Sequence, residues 1–340
     1  MYYKRLVPPN TWENHQEHWF RAMREPWYIN MLRIQDVAVA SAHEFLRNSG
    51  LLHMIAPMTT GSISSPMGAG SDSLPVAIEL NNKKTYLADS MQFALEYGFR
   101  LAPKGVYYIM QCFRGEEPDA THLSQFCHIE FEISGDLDET MNLSWKLIQK
   151  LCMSLAKNCR DEITSAVGSV DHLHNIVNLV EPPQIKFSEA IKEVDQSGYC
   201  ILENDVRILT KSGEKQISEK YSVANTLWVT HMDSLSVPFY QAVSEFNPKE
   251  SITADLLIGG REVVGSGHRH TDGESVRKAL QRHSVNEKDY EWYVRMKDEL
   301  PMSTSGMGLG LERFLMWVVG CDDIRNIPII SRLTTELSVP

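Results

Sequence analysis

Residues 113–133 read FRGEEPDATHLSQFCHIEFEI, and their pattern decides the fold. The run entering this stretch, Val106 to Arg114 (VYYIMQCFR), and the run leaving it, Gln125 to Ile133 (QFCHIEFEI), are rich in β-branched and aromatic residues. The link GEEPDATHLS holds Gly115 and Pro118, so the whole predicts two strands joined by an extended hairpin loop. Side chains alternate along a strand. Cys127, Ile129, Phe131 and Ile133 therefore share an apolar face, and Phe126, His128, Glu130 and Glu132 share the other. Three titratable groups on an apolar-backed strand read either as the wall of a polar cavity or as the solvated face that antiparallel sheets often have.

Upstream, residues 31–49 place Met31, Leu32, Ile34, Val37, Phe45 and Leu46 near helical spacing and end at Gly50. Leu51 to Ala56 reads as a short strand stopped by Pro57, and residues 58–75, rich in Gly, Ser, Thr and Pro, as a long loop. Tyr86-Leu87 ends a strand, and Asp89 or Ser90 caps a helix running to about Leu101. Downstream, Asp138 to Cys159 sets Leu143, Leu147, Ile148, Leu151 and Leu155 on one helical stripe. Residues 160–225 are weakly patterned and predict no defined element. Strands return at Thr226–Thr230 and Asp255–Val264, a helix at Gly273–His283, and a last helix after the glycines at 306–310. This order lacks the regular alternation of a doubly wound sheet. It predicts an α+β fold with a mixed, mainly antiparallel sheet flanked by helices. Residues 1–30, polar and aromatic with Pro8-Pro9, read as an N-terminal extension to one domain over 31–340.

Composition narrows the class. With 33 Lys+Arg against 44 Asp+Glu the chain carries a formal charge of −11 and no dense basic run, which weighs slightly against a long nucleic acid gripped on a basic face. No apolar run reaches the roughly 18 residues of a membrane span. The N-terminal MYYKRLVPPNTWENH lacks the apolar core of a secretory signal. Cys112, Cys127, Cys152, Cys159, Cys200 and Cys321 are scattered without a CxxC pair, which speaks against a zinc site or disulfide framework and fits a cytoplasmic protein.

Two further stretches carry chemistry. Ser305 to Gly320 (SGMGLGLERFLMWVVG) has glycines at 306, 308 and 310 that let backbone pass close to a ligand or another strand. Arg313 then sits in an otherwise apolar helix, where a charge is costly unless paired or bound. The run is neither a Walker loop nor a dinucleotide fingerprint. Asp255 to Arg269 (DLLIGGREVVGSGHR) brackets a hairpin with Asp255 and Glu262, the hard oxygen ligands magnesium needs, or simply two solvent-facing acids. Arg114, at a strand end, has the planar fork of donors that suits a phosphate.

Together these stretches resemble the class II aminoacyl-tRNA synthetases. FRGEEPDATHLSQFCHIEFEI resembles their motif 2 and GMGLGLER their motif 3, and Pro57 stands where motif 1 has its proline. YLADSMQFALE and DLLIGGREVVGSGHR resemble segments of the asparaginyl/aspartyl subgroup, and VTHMDSLSVPFY and YEWYVRMKDEL stretches of asparaginyl enzymes, the likeness covering roughly residues 31–332. The resemblance implies a class II catalytic domain over 31–340 that uses ATP and Mg2+ to make an aminoacyl-adenylate, as a homodimer paired through motif 1. It implies that Arg114 and Arg313 act in catalysis and that Glu116, His122, Phe126, Glu262 and Gly310 join them around ATP. Asp255 and Glu262 would hold magnesium, and Ser90, Gln92, His128, Glu130 and Arg269 would border the amino acid. Leu95 stands where aspartyl enzymes place a lysine, and Glu130 where asparaginyl enzymes have a glutamate, so asparagine is the expected substrate, with aspartate or a close analogue behind it. Cys127 and His128 are not the residues usual beside the pocket; the loop is one residue short and lacks the arginine that usually precedes the histidine. About 30 residues precede the first core helix, too few for the five-stranded barrel that reads an anticodon. The expected acceptor is therefore a small molecule, ammonia or an amine rather than a standard tRNA. A truncated asparagine–tRNA ligase and a non-catalytic paralogue are the alternatives. Arg114, Glu116, Asp255, Glu262 and Arg313 all being present weighs against the second.

Overall fold

The computed structural model describes residues 5–333 apart from 15, 65–73, 103, 195–197 and 204–205. In chain order its elements are α1 (His18–Ala22), α2 (Pro26–Asn48), β1 (Leu52–His53), β2 (Thr59–Thr60), β3 (Val76–Leu80), β4 (Lys83–Leu87), α3 (Gln92–Phe99), β5 (Val106–Phe113), β6 (Gln125–Ser134), α4 (Leu137–Asn158), α5 (Arg160–Val167), α6 (Asp171–Asn178), β7 (Gln184–Lys186), α7 (Phe187–Val194), β8 (Cys200–Glu203), β9 (Val206–Leu209), α8 (Lys211–Tyr221), β10 (Thr226–Thr230), β11 (Thr253–Ile258), β12 (Arg261–His268), α9 (Gly273–Arg282), α10 (Glu291–Glu299), β13 (Thr304–Gly310) and α11 (Leu311–Val318).

Eight strands form one sheet in the order β1-β5-β6-β13-β12-β11-β10-β7. Neighbours run antiparallel except at the two ends, where β1 joins β5 and β7 joins β10 in parallel. The α+β class and the mixed, mainly antiparallel sheet are those the sequence predicts. The alternation of β6 sets the layering. Its apolar set, Cys127, Ile129, Phe131 and Ile133, enters the main core with Met31, Ile34, Ala38 and Leu46 of α2 and Leu147, Ile148, Leu151 and Leu155 of α4. The opposite face of the same strand is left to the polar set.

Several boundaries differ from the sequence pattern, each for a local reason. The helix expected from residue 31 begins at Pro26, which stands in the first turn where no N–H is needed. Trp27 and Tyr28, ahead of residue 31, are buried in the main core. α4 starts at Leu137 because Asp136 and Glu139 form a reciprocal capping box. The strand expected over Leu51–Ala56 narrows to β1; of the long loop expected over 58–75, residues 65–73 lie outside the described residues and Thr59–Thr60 form β2, paired to β4. Residues 160–225, which predicted nothing, hold α5, α6, β7, α7, β8, β9 and α8. These are elements of three to eleven residues, too short to display a period.

A second core holds the polar face in place. Phe93 of α3, Val276, Ala279 and Leu280 of α9, Tyr293 and Val294 of α10, and Phe239 and Tyr240 between β10 and β11 form one largely aromatic cluster. Beside it lies a buried ion pair: Lys297 Nζ is 2.5 Å from Glu96 Oε2, and both side chains are fully enclosed. Lys297 also donates to the His270 carbonyl at 2.7 Å, and Tyr293 donates to Glu96 at 2.9 Å. Burial pushes the Glu96 carboxyl up, but Lys297 and Arg269 more than offset it and hold it below the usual range. Removing one partner of such a pair strands the other charge. Lys297→Met is expected to lose about 3–5 kcal/mol of stability in urea denaturation. A loss under about 1 kcal/mol would show that the pair does not hold α3 against α10.

Candidate active site

The polar face of the sheet is a trough because its middle has no side chains. Along the β6–β13 register Gly306 lies opposite Glu132, Gly308 opposite Glu130 and Gly310 opposite His128. On the next strand, β12, Gly267 pairs with Gly306 and Gly265 with Gly308. The glycines foreseen as points of close approach thus form the floor on which the β6 side chains lie. A Cβ at Gly306 would fall on the Glu132 carboxylate, the Phe131 carbonyl and the Arg269 guanidinium. Above this floor opens a cavity of about 670 Å3.

At one end sits a hydrogen-bonded set built from α3, β6 and β12. Arg269, 3% exposed, faces Glu132 Oε2 at 3.3 Å and donates to Gln92 Oε1 at 2.9 Å and Gln241 Oε1 at 2.5 Å. Gln92 donates back to Glu132 at 2.9 Å. Burial pushes the Glu132 carboxyl up, with Arg269 pulling against it. Glu130 belongs to a separate group: it accepts from Ser90 Oγ at 2.7 Å and lies 2.7 Å from His128 Nδ1. The Ser90 hydroxyl also receives the Gln92 N–H at 3.1 Å, so it fixes the start of α3 while facing the cavity.

Toward the other end, the Arg114 guanidinium stands 5.3 Å from the Phe126 ring centroid. Its Nη1 is 4.0 Å from Glu116 Oε1. Glu116 accepts the Leu74 N–H at 3.2 Å and does not line the cavity. Arg313, in the first turn of α11, donates to the Glu262 carbonyl at 2.8 Å and reaches its carboxylate at 3.8 Å. The next-door Glu312 turns away and accepts the Cys127 N–H at 2.9 Å, pinning α11 to β6; burial pushes its carboxyl up to about 7.

The acids that suggested magnesium come together through a bulge. β11 and β12 shift register between Leu256 and Leu257, so that Leu257 pairs with Glu262 instead of Val263. A one-residue slip turns a side chain to the opposite face. The bulge therefore puts Glu262 on the face of Asp255. Gly265 leaves room for both: a Cβ there would sit 3.0 Å from Glu262 Oε1 and 3.6 Å from Asp255 Oδ1. A third acid, Glu214 of α8, joins them. Burial, then Glu262 and Glu214, push Asp255 well above the ordinary carboxylate range, and burial, then Glu262, push Glu214 up to about 7. Asp255 and Glu262, side by side over Gly265, are the pair of hard oxygen ligands that could hold a divalent cation such as magnesium, with Glu214 close enough to add to their charge.

Every residue singled out from the sequence lines this one cavity except Glu116: Arg114, His122, Phe126, Gly310 and Arg313 at one end, Ser90, Gln92, His128, Glu130 and Arg269 at the other, Asp255 and Glu262 between. The structure adds Gln241, Tyr240, Glu214 and Lys211 to the lining, and Glu132, outside it, as the partner of Arg269. Glu132 was legible from the alternation of β6. Tyr240 closes the stretch VTHMDSLSVPFY that carried part of the resemblance, and Gln241, Glu214 and Lys211 come from segments whose sequence carries no periodic or motif signal.

The sequence pattern of the family described as tRNA synthetases class II (D, K and N) matches residues 12–333. The asparagine–tRNA ligase of Thermoplasma acidophilum is 26% identical over 315 residues, covering 89% of this chain and 69% of that protein. That of Clostridium tetani is 27% identical over 332 residues, covering 89% and 70%. In fold, the chain superposes on the asparaginyl-tRNA synthetase of Pyrococcus horikoshii complexed with asparaginyl-adenylate, with a TM-score of 0.85 at 22% identity over 96% of this chain and 74% of that one. The Entamoeba histolytica asparaginyl-tRNA synthetase complexed with asparaginyl-adenylate gives 0.81 at 18% identity over 98% and 74%.

The raised carboxyls set a pH dependence. A carboxyl whose folded pKa lies above its unfolded value costs stability as pH rises through the folded value. Without metal, Asp255 and Glu214 therefore weaken the fold as pH rises above the usual carboxylate range, Glu214 up through about 7. A divalent cation must displace their protons, so its hold strengthens over the same window. The melting-temperature gain from a fixed magnesium concentration is expected to be larger at about pH 8 than at about pH 6, with Glu214→Gln flattening the difference. An equal gain at both pH values would remove these acids from the metal site.

Proposed function

Because the chain belongs to the class II tRNA synthetases of the aspartate, lysine and asparagine group, a family of ATP-dependent ligases, we propose that it activates asparagine with ATP and magnesium as asparaginyl-adenylate. The observation that carries asparagine is the environment of Glu130. It is 3% exposed, and its oxygens face Ser90 and His128. Among the described residues no Lys or Arg pairs with it. A side-chain amide can donate to that carboxylate, whereas the nearly isosteric carboxylate of aspartate meets a like charge. Arg269 does little to offset this, since Glu132 already neutralises it. Leu95 is fully buried among Ala88, Met91, Phe99 and Tyr108, so α3 brings no cation there.

In this reading the substrate carboxylate attacks the α-phosphorus of ATP in line. The new bond joins a carboxylate oxygen to that phosphorus, the bond to the bridging oxygen breaks, and its electron pair leaves with pyrophosphate. Arg114 and Arg313 flank the reacting phosphate, and positioned charge supplies the stabilisation without a covalent enzyme intermediate. Phe126 is the face on which adenine stacks, and Glu116, which does not line the cavity, turns from the Leu74 N–H to meet the adenine amino group. Asp255 and Glu262 would hold magnesium, which would offset the charge of the phosphates. The adenylate then passes to an acceptor. The matched relatives are tRNA ligases by name, so tRNA stands as acceptor on equal terms with a small amine or ammonia, and charging of tRNA against product mass spectrometry with amines decides between them.

Asparagine-dependent ATP–pyrophosphate exchange tests the core of the reading. Arg114→Ala and Arg313→Ala should each abolish exchange while leaving the melting temperature near wild type. Asparagine should be preferred over aspartate by about a hundredfold, the weight of one uncompensated buried like-charge contact. Equal exchange with aspartate would overturn the asparagine assignment, and near wild-type exchange by Arg313→Ala would overturn the role of α11.

We also propose a homodimer through the edge at β1. Ile29 and Leu32 of α2 are 57% and 59% exposed, and Leu52, Ile55 and Met58 around Pro57 are 62%, 91% and 54% exposed. Among the described residues β1 ends the sheet with one edge unpaired, and closed two-fold pairs are the commonest soluble assembly. Light scattering at micromolar concentration should give the dimer mass; a monomer would overturn the assignment.

A further inference from the structure

The loop between β5 and β6 borders the cavity beside Arg313, yet residues 115–124 (GEEPDATHLS) contain three acids and no lysine or arginine. Its one titratable base is His122, whose readiness to take a proton is lowered first by burial and then by Lys211 and Arg313. A loop so composed offers a polyanion little. The missing charge arrives from elsewhere in the chain. Lys211, the first residue of α8, reaches across to this loop: its Nζ donates to Thr121 Oγ1 at 2.6 Å and lies 3.3 Å from both Asp119 Oδ2 and His122 Nδ1. Lys211, His122, Glu262 and Arg313 also border a second cavity of about 480 Å3 that adjoins the first. The ammonium therefore stands at the junction of the two spaces, on the side of the acids Asp255, Glu262 and Glu214 and away from Ser90 and Arg269.

We propose that Lys211 binds the outer phosphates of ATP and the pyrophosphate that leaves, supplying from α8 the cation that residues 115–124 lack. The inference rests on the ATP-dependent reading above and assigns one more substrate contact within it. The chemistry suits the task. A lysine ammonium is a compact charge with three donors on a flexible stem, able to follow phosphate oxygens as they move from ATP to pyrophosphate. Asp119 and Thr121 hold it ready at the loop, and its side chain is 60% exposed, so it swings toward a ligand without leaving a buried hole. α8 contributes in the same direction: it has eleven residues, and its N-terminus, capped by Thr210, carries a partial positive charge. The same helix brings Glu214 to the acids, so a single element sets both a cation and an anion against the ATP·magnesium end of the cavity.

The test compares ligands that do and do not carry outer phosphates. By calorimetry, Lys211→Ala should weaken binding of β,γ-imido-ATP by about tenfold, the size of one charge-assisted contact, and leave AMP binding unchanged. Lys211→Arg should restore the imido-ATP affinity to within about threefold, and in asparagine-dependent exchange Lys211→Ala should raise the KM for pyrophosphate more than it lowers kcat. If Lys211→Ala binds imido-ATP and AMP in the wild-type ratio, the assignment is overturned, whatever the exchange rate. If wild type shows no asparagine-dependent exchange but its imido-ATP affinity still depends on Lys211, the asparagine reading fails and the lysine assignment stands.

Discussion

The site depends on a row of absent side chains. Gly306, Gly308 and Gly310 on β13 face Glu132, Glu130 and His128 on β6, and Gly265 and Gly267 continue the bare strip on β12. Strands in a sheet lie about 4.8 Å apart, so two long acidic side chains on one strand need somewhere to lie. Glycine on the neighbouring strand is what provides it. The cost is a strand with little to pack on its upper face. It is offset below, where Met307 and Leu309 alternate with the glycines into the main core. One strand therefore serves two purposes by strict alternation.

On that floor the charges are arranged so that most of them cancel. Arg269 meets Glu132, Lys297 meets Glu96, and Gln92 bridges both carboxylates. Buried pairs of this kind add little net stability. Their effect is to hold α3, β6, β12 and α10 in one geometry, since any displacement exposes an unpaired charge. Two carboxylate groups stay outside this cancellation. Among the described residues Glu130 meets a histidine and the Ser90 and Tyr108 hydroxyls but no lysine or arginine, and the cluster of Asp255, Glu262 and Glu214 is opposed by Arg313 and Lys211 alone. Unrelieved charge at those two places, and relieved charge elsewhere, separates the parts of the cavity that await a ligand from the parts that hold the fold.

The second ring of residues around the cavity comes from the segment between α6 and β10. α8 packs across β12 and delivers Lys211 and Glu214 to the same end of the cavity, and Ile201 and Leu209 of the β8–β9 hairpin line it as well. This segment is built from short elements, and its contribution depends on where α8 docks.

The sequence by itself determined what repeats locally. The alternation of β6 separated core from cavity, the helical stripe of α4 marked its partner, and the order of elements excluded a doubly wound sheet. Four stretches of motif, read together, gathered twelve of the thirteen expected residues into the cavity, because each motif carries several of them at fixed spacing on one strand or turn. The tertiary structure decided what depends on register and docking. The bulge at Leu256–Leu257 that turns Glu262 toward Asp255 is a shift between two strands, which no single-strand pattern records. The pairing of Arg269 with Glu132 rather than Glu130 joins residues 137 positions apart. Lys211 lies 89 positions from His122 in a helix with no apolar stripe to announce it. Spacing along a chain fixes only neighbours within an element; contacts between elements are set by packing, and the charge balance of this cavity is made almost entirely of those.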